Sequence, residues 1–283
     1  VAEALDLFRA EGVEVRLDEF VGGYLCLAAV LRGDADVGTV ADLPLVFAAF
    51  ERRDFRVLAT FVESEEDIKL VAHAARGVDS VADLRGRRAG AVLGSSSQFF
   101  LDSVLVLHGV DPAEVEVVGV APERMRAALL DGEVDAAAAW EPYAHEMLST
   151  PGLPVARLDS FAPYRETFNL VAAGTVARTR HAALSGVLRA VRAATGFMHA
   201  NPDEGLRIVA ERLGVDRAML GAVMPGMRFG LGLDQGLVVT LENEARWAQS
   251  RELVPAGARP NFLDFIDGAA LRALDPNLVN LLN

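Results

Sequence analysis

The sequence predicts an α/β protein of two similar lobes, each with a mixed, mainly parallel sheet flanked by helices. One passage occurs twice along the chain, at residues 28–42 and 127–141, and each copy has the pattern of a helix, a glycine, an acidic turn and a buried strand. The chain has 283 residues, 52% of them hydrophobic, which is enough to give each lobe a core. Two facing lobes would enclose a cleft, which is where small ligands bind.

The two copies of the repeat match in their glycine and acidic positions. Gly33 and Gly132 stop the two predicted helices, and an aspartate follows three residues later in each copy. A run of small residues then leads to an acid, Asp42 in the first copy and Glu141 in the second. Each copy therefore predicts a short strand that carries a carboxylate at its tip.

Hydrophobic spacing and turn residues predict the remaining elements. We expect strands at residues 13–17, 55–62, 68–74, 88–93, 115–117, 155–158 and 168–173. We expect helices at residues 2–10, 98–108, 181–200, 203–213, 216–223 and 233–250, with a capped turn at 80–86. A strand precedes the first helix of the second unit but not of the first, so we expect an opening strand and loop ahead of Val1.

These elements predict where the chain passes between the lobes. Residues 1–76 and 171–283 are assigned to lobe 1, whose C-terminal part is rich in helices, and residues 77–170 to lobe 2. The chain would cross between the lobes twice.

Charge and cysteine content argue against several classes of function. The formal net charge is −13, which disfavours nucleic acid and anionic membranes as partners. Cys26 is the single cysteine, so no intrachain disulfide can form. It lies in an apolar helical stretch, which favours an inert thiol over a nucleophile. No run reaches the roughly twenty apolar residues of a membrane span.

The strongest local candidate site is the serine-rich turn at residues 94–98. A predicted strand ends there, and Ser95 with Gln98 fits a capping box that opens the next helix. The free amides of the first turn, together with the hydroxyls of Ser96 and Ser97, would bind an oxyanion. The alternative is that these residues only cap the helix.

Aromatic and acidic residues follow the second repeated strand. Trp140 and Tyr143 could close over the apolar body of a ligand, and Glu141 could pair with an ammonium or accept hydrogen bonds. Alternatively, Trp140 fills the core and Glu141 begins a helix. Thr39 and Asp42 are the counterparts in lobe 1, on the opposite wall of the expected cleft, with helix capping by Asp42 as the alternative.

The sequence predicts no catalytic residue, metal ligand or cofactor. The five histidines are scattered and none forms a pair with metal-ligand spacing. A serine nucleophile elbow is also missing from the sequence. A binding function is therefore favoured over catalysis.

Taken in order, the motifs resemble substrate-binding proteins of nitrate/sulfonate/taurine-type ABC importers. The residues that carry the resemblance are 33–44, 81–88, 94–96 and 132–143. The resemblance implies a type II periplasmic-binding-protein fold with two crossovers and hinge closure around the ligand. It places the ligand's anionic head at Ser95 to Ser97 and lines the same cleft with residues 39–42 and 140–143.

The resemblance also implies the cellular role. The protein would be a monomeric, non-enzymatic solute-binding component that captures a small sulfonate, nitrate or taurine-like ligand without a cofactor. Its partners would be that ligand and an ABC permease in the membrane, with no nucleic acid. It would act in the periplasm or outside the cell, with or without a lipid anchor.

Two acids at the expected cleft bear on the class of ligand. Asp42 and Glu141 would repel a purely anionic ligand, so we expect a zwitterion such as taurine, with its sulfonate at the serines and its ammonium toward an acid. Amines and polar heteroaromatic compounds are alternatives. Competing functions are an enzyme on the same fold, of the desulfinase type through Cys26 or of the pyrimidine-precursor type, and the ligand-sensing domain of a regulator. The cysteine-rich motif of the pyrimidine-precursor synthases is missing from this sequence.

Overall fold

The computed structural model describes residues 1–20, 22–152, 154–158 and 164–282, and the chain folds into two compact units. The first unit contains Val1–Glu63, Thr167–Leu220 and Arg228–Asn283, and the second contains Ser64–Glu166 and Gly221–Met227. The strands are β1 (Val37–Ala41), β2 (Phe55–Ser64), β3 (Ile68–His73), β4 (Arg88–Ala91), β5 (Glu116–Gly119), β6 (Ala136–Trp140), β7 (Val155–Arg157), β8 (Glu166–Ala173), β9 (Met227–Asp234) and β10 (Val279–Asn280). The helices are α1 (Leu7–Ala10), α2 (Gly23–Arg32), α3 (Asp42–Glu51), α4 (Ser96–Leu107), α5 (Met125–Asp131), α6 (Tyr143–Leu148), α7 (Gly174–Thr179), α8 (His181–Ala200), α9 (Pro202–Leu213), α10 (Arg217–Val223), α11 (Gln235–Ser250) and α12 (Ala269–Leu274).

The first unit is built on a five-stranded sheet in the order β1-β8-β2-β9-β10. Strand β1 is an edge strand and runs antiparallel to β8, while β9 and β10 are parallel. Helices α3 and α11 pack against each other and bury Leu43, Leu45 and Leu241. The apolar faces of these helices thus form part of the core of this unit.

The second unit is built on another five-stranded sheet, in the order β5-β4-β6-β3-β7. Strand β4 is parallel to both β5 and β6, whereas β3 is antiparallel to β6 and β7. Helices α5 and α6 contribute Met125, Leu129 and Met147, all fully buried, to a core that lies against the alanine-rich strand β6. The small alanine side chains let these helices approach the sheet closely.

The repeated passage folds in the same way in both units. Helices α2 and α5 end at Gly33 and Gly132, whose φ angles of 83° and 76° lie in the left-handed region that glycine adopts without strain. In each copy the residue after the glycine donates its amide to a carbonyl oxygen of the last helical turn. Asp34 donates to Ala29 O and Glu133 to Ala128 O, both at 2.9 Å. Strands β1 and β6 follow at matching positions, so the predicted pattern of helix, glycine, turn and strand is confirmed.

The sequence analysis misplaced several elements. Residues 13–20 form neither a helix nor a strand, although a strand was expected at residues 13–17. Strand β9 was missed, and residue 233, taken as the start of a helix, belongs to it. Its apolar residues alternate at every second position from Met227 to Leu233, which is the period of a strand.

The boundaries of the two units also differ from the predicted ones. The chain passes from the first unit to the second at Glu63 and Ser64, and returns at Glu166 and Thr167, whereas the sequence analysis placed these points at residues 77 and 171. The reason is that β3 pairs with β6 and β7, so it belongs to the second sheet. The antiparallel pairings of β1 and β3 make both sheets mixed, as expected.

Among the described helices, none combines the length and the apolar character that crossing a membrane would require.

Candidate ligand-binding site

The second unit gathers most of the predicted site residues at one edge of its sheet. Strands β4, β5 and β6 are parallel, so their carboxyl ends lie at the same edge, here called the carboxyl edge. Strand β3 runs the other way, and its first residue, Ile68, pairs with Trp140 at the end of β6. Residues 92–98, 140–143 and 67–69 therefore all lie at the carboxyl edge.

Helix α4 begins at the carboxyl edge, where Ser95 is its N-cap. The Ser95 backbone is extended, and its hydroxyl oxygen accepts a hydrogen bond from the Ser97 amide at 3.2 Å while donating to Val92 O at 2.7 Å. The predicted capping box forms only in part, because the Gln98 side chain reaches past the N-cap and its Oε1 accepts from the Gly94 amide at 2.8 Å. Two side chains thus hold the turn before α4 in place.

Ser97 has a structural role that differs from the one predicted. Its side chain is fully buried, and its hydroxyl donates to Ala138 O of β6 at 2.8 Å and accepts from the Val92 amide at 3.2 Å. A hydroxyl has one proton to donate. The hydroxyls of Ser95 and Ser97 are therefore engaged within the protein, and a ligand contact at residues 95–97 stays a prediction.

The turn before α4 also contains donors that have no partner among the described residues. The first amides of a helix have no intrahelical acceptor. Within the described residues, the amides of Ser96 and Gln98 and the Ser96 hydroxyl form no hydrogen bond. Because the side-chain oxygen of Gln98 accepts the hydrogen bond from the Gly94 amide, the side-chain NH2 group of Gln98 is a further donor. These neutral donors share the positive end of a 12-residue helix, which favours an anion.

The aromatic residues after β6 have different surroundings. Trp140 is half-buried at the last position of the strand. Tyr143 opens α6 and packs against the apolar core that contains Met147 and Leu129. Both predicted aromatic residues lie at the carboxyl edge, and Tyr143 also packs against the core.

Glu141 is already paired inside the protein, with a residue that the sequence analysis missed. Lys69 at the start of β3 donates from Nζ to Glu141 Oε1 at 2.5 Å and to Glu66 O at 2.5 Å. The other Glu141 oxygen, Oε2, accepts from the His145 amide in the first turn of α6 at 2.8 Å. The expectation that Glu141 helps to begin a helix is thus met, while its carboxylate is occupied by an internal cation.

Two more buried acids lie beside this ion pair. The side chains of Asp67 and Glu166 are 7% and 4% exposed and share a hydrogen bond, which requires one proton between them. Burial raises the pKa of Asp67 to about 6; the hydrogen bond to Glu166 opposes this, the negative charge of Glu141 adds to it and Lys69 lowers it. The sequence signal for Asp67 and Lys69 is a run of acids from Glu63 to Asp67, interrupted by Ser64, with the single lysine of the chain two positions after it.

The predicted site residues of the first unit, Thr39 and Asp42, differ in their surroundings. Thr39 is exposed on the edge strand β1. Asp42 is fully buried, and its carboxylate accepts hydrogen bonds from the Thr167 amide at 2.9 Å, the Thr167 hydroxyl at 3.2 Å and the Leu43 amide at 3.0 Å. Asp42 therefore ties the start of α3 to β8, and its contact with a ligand stays a prediction.

Cys26 is half-buried in α2. Its sulfur accepts a hydrogen bond from the Thr39 amide at 3.3 Å. Among the residues that the structure describes, no group of three or more His, Cys, Asp or Glu side chains could hold a metal ion.

Comparison with known proteins identifies the family. The family model described as NMT1/THI5 like matches residues 1–205. The chain belongs to the NMT1/THI5-like family. This agrees with the resemblance seen in the sequence, because proteins named for binding aliphatic sulfonates and taurine are among the relatives of this family member.

The sequence relatives match only part of their own length. The chain is 27% identical over 207 residues to an Escherichia coli K12 protein named for binding aliphatic sulfonates, and the match covers 73% of this chain and 64% of that protein. It is 28% identical over 143 residues to the taurine-binding periplasmic protein of the same organism, with 50% and 44% covered. The chain thus matches less than two thirds of the length of either relative.

Solved structures establish the fold of this NMT1/THI5-like protein. The periplasmic aliphatic sulphonate binding protein SsuA from Escherichia coli superposes with a TM-score of 0.80 at 22% identity, covering 94% of this chain and 91% of that one. A mutant of the enzyme DSZB in complex with biphenyl-2-sulfinic acid superposes at 0.72 and 17% identity, covering 96% and 93%. At these identities the likeness concerns the fold alone. The expected periplasmic-binding-protein fold is confirmed.

Proposed function

We propose that this protein is the solute-binding component of an ABC importer and that it captures a small organic sulfonate. The anionic head would lie at the start of α4, held by the amides of Ser96 and Gln98 and by the Ser96 hydroxyl. The observation that carries the proposal is that these donors are unpaired at the carboxyl edge, next to the half-buried Trp140. Binding, without a chemical step, is the proposed activity.

The chemistry of a sulfonate matches this arrangement. Its single charge is spread over three oxygens, so several neutral donors at a helix N-terminus can hold it without a cation. The one lysine at the carboxyl edge is engaged by Glu141 and by Glu66 O, which leaves the amides as the main source of positive potential. The indole of Trp140 offers an apolar surface to the organic part of the ligand.

The relatives support the same role. Proteins named for aliphatic sulfonates and for taurine share 27% and 28% identity with this chain. By analogy we propose that the protein works as a monomer in the periplasm or outside the cell, where it delivers its ligand to a membrane permease. The analogy also disfavours the enzyme alternatives. Within the described residues, the Cys26 sulfur accepts its hydrogen bond from the backbone amide of Thr39, which is not a base.

The proposal can be tested by removing one amide donor at a time. Ser96 is the first residue of α4, a position that tolerates proline, and the extended backbone of Ser95 is the conformation that precedes proline most readily. Ser96→Pro should therefore fold normally while losing both the amide and the hydroxyl. Calorimetric titration with ethanesulfonate should show an affinity about tenfold to a hundredfold weaker than that of the wild type.

Ser96→Ala is the matched control, because it removes the hydroxyl and keeps the amide. It should weaken ethanesulfonate binding less than Ser96→Pro does. If the wild type gives no heat with ethanesulfonate, butanesulfonate or nitrate, the proposed function is wrong. If Ser96→Pro binds as tightly as the wild type, the anion lies elsewhere.

A further inference from the structure

Resting on the proposed function, we infer that Lys69 makes this site select sulfonates without an ammonium group over zwitterions such as taurine. Lys69 is the only lysine among 283 residues. Its ammonium is paired with the carboxylate of Glu141, which would otherwise pair with the ammonium of a ligand. Lys69 is thus a specificity-determining residue, and the sequence-based expectation of a zwitterion is reversed.

The first step in this argument is that both carboxylate oxygens of Glu141 already have a partner inside the protein. Its Oε1 accepts from Lys69 Nζ at 2.5 Å and its Oε2 accepts from the His145 amide at 2.8 Å. The side chains of Glu141 and Lys69 are 6% and 13% exposed, so the pair is withdrawn from water. Glu141 is also the acid next to Trp140, where the organic part of the ligand is proposed to lie.

The second step is that the neighbouring acids of the second unit are also engaged. Asp67 and Glu166 share a proton in a hydrogen bond and are both buried. Glu66 forms an ion pair with Arg157 at 2.5 Å. The ammonium of Lys69 interacts with the carboxylates of both Asp67 and Glu141, so one positive charge is shared by two acids. A ligand ammonium could pair with one of these acids only if that acid gave up its partner inside the protein.

The third step compares two ligands that differ in one group. Ethanesulfonate and taurine have the same chain length and the same sulfonate, but taurine carries an ammonium in place of the terminal hydrogen. The ammonium would lose its hydration and approach the Lys69 ammonium, which is unfavourable. The apolar end of ethanesulfonate loses no hydration of this kind and can contact Trp140. The site should therefore discriminate by repulsion as well as by attraction.

Calorimetric titration of the wild-type protein with both ligands at pH 7.5 tests the inference directly. Ethanesulfonate should bind at least about tenfold more tightly than taurine. Equal affinities, or tighter binding of taurine, would overturn the inference and leave the proposed function standing. Absence of binding by any alkanesulfonate would instead overturn the proposed function, and the inference with it.

Two substitutions should move the ratio of the affinities in opposite directions. Lys69→Met empties the internal cation position and leaves Glu141 able to accept a ligand ammonium, so the ratio should shift toward taurine by about tenfold or more. Glu141→Gln removes the negative partner of Lys69, so the ratio should shift further toward ethanesulfonate. A purely structural role of the pair would weaken both ligands alike and leave the ratio unchanged, which would contradict the inference.

A matched control is available in the same unit. Arg85 pairs with Glu114 at 3.2 Å ahead of β4, at the opposite edge of the sheet from α4. Arg85→Met removes an ion pair without touching the carboxyl edge and should leave the ratio at its wild-type value. Should Lys69→Met fail to fold, as judged by circular dichroism, the wild-type ratio and Glu141→Gln still decide the question.

Discussion

The two copies of the repeat have the same local structure, but the strand of one lies at the edge of its sheet and the strand of the other at the centre. Strand β1 of the first copy is an edge strand, and Thr39 in its middle is exposed. Strand β6 of the second copy lies at the centre of its sheet, and its four alanines are all buried. The local pattern therefore determines the helix, the glycine and the strand, whereas neighbouring strands determine what each copy exposes.

The acids at the strand tips differ in the same manner. Asp42 is held by neutral donors, the amides of Leu43 and Thr167 and the hydroxyl of Thr167. Glu141 is held by the ammonium of Lys69 and one amide. Equivalent positions in the repeat thus accept hydrogen bonds from Thr167 of β8 in one unit and from Lys69 of β3 in the other. The comparison shows why an acid at a strand tip is weak evidence for a ligand contact.

The largest expected effect concerns the buried acid of the first copy. Asp42→Ala removes an ionised acceptor of three hydrogen bonds and leaves two buried amides unpaired, so it should lower the free energy of unfolding by about 4 kcal/mol. Urea unfolding followed by circular dichroism measures this. Asp34→Ala is the control, since Asp34 lies in the same repeat and pairs with Arg32 at the surface. That change should stay within about 0.5 kcal/mol, and a similar loss for both would refute the assigned role of Asp42.

The next effect is a pH dependence that belongs to the second unit. The pKa of Asp67 is about 6 in the folded chain, against 3.8 as the ordinary value, so folding takes up a proton between these pH values. The contribution of Asp67 to the free energy of unfolding should therefore be largest below pH 4. It should fall by about 3 kcal/mol as the pH rises above 6.

Unfolding free energies of wild type and Asp67→Asn, measured from pH 4 to pH 7.5, test this. The asparagine cannot titrate, so the fall in stability over this range should be much smaller in the variant. Asp34→Asn at the surface should retain the wild-type dependence. An identical slope in Asp67→Asn would contradict the assignment of this titration to Asp67.

The smallest expected effect compares the two helix-ending glycines. Gly33→Ala and Gly132→Ala each place a side chain in the left-handed region, which should cost about 1 kcal/mol. A Cβ at Gly33 would meet open space, whereas one at Gly132 would collide with the guanidinium of Arg76. Arg76 lies 3.9 Å from Asp135. Urea unfolding should therefore show the larger loss for Gly132→Ala, and a larger loss for Gly33→Ala would contradict this packing.

Much of the architecture followed from local patterns in the sequence. Helix α8 was predicted at its observed bounds because its apolar residues recur at helical spacing. The turn before α4 was recognised because serine caps a helix through its own side chain, which needs no distant partner. Strand β9 was missed although its alternation was readable, because its glycines and the following helix obscured it.

By itself, the sequence determined the α/β class, the repeated helix-and-strand unit, the family and the serine-capped start of α4, since each depends on residues close together in the chain. Only the tertiary structure decided which of these groups remain available. Ser97 bonds to β6, Asp42 bonds to β8, and Glu141 is paired with Lys69, which lies 72 positions away in sequence. Whether a polar group can reach a ligand depends on the partners that folding brings to it, and the partners of Ser97, Asp42 and Glu141 come from distant parts of the chain.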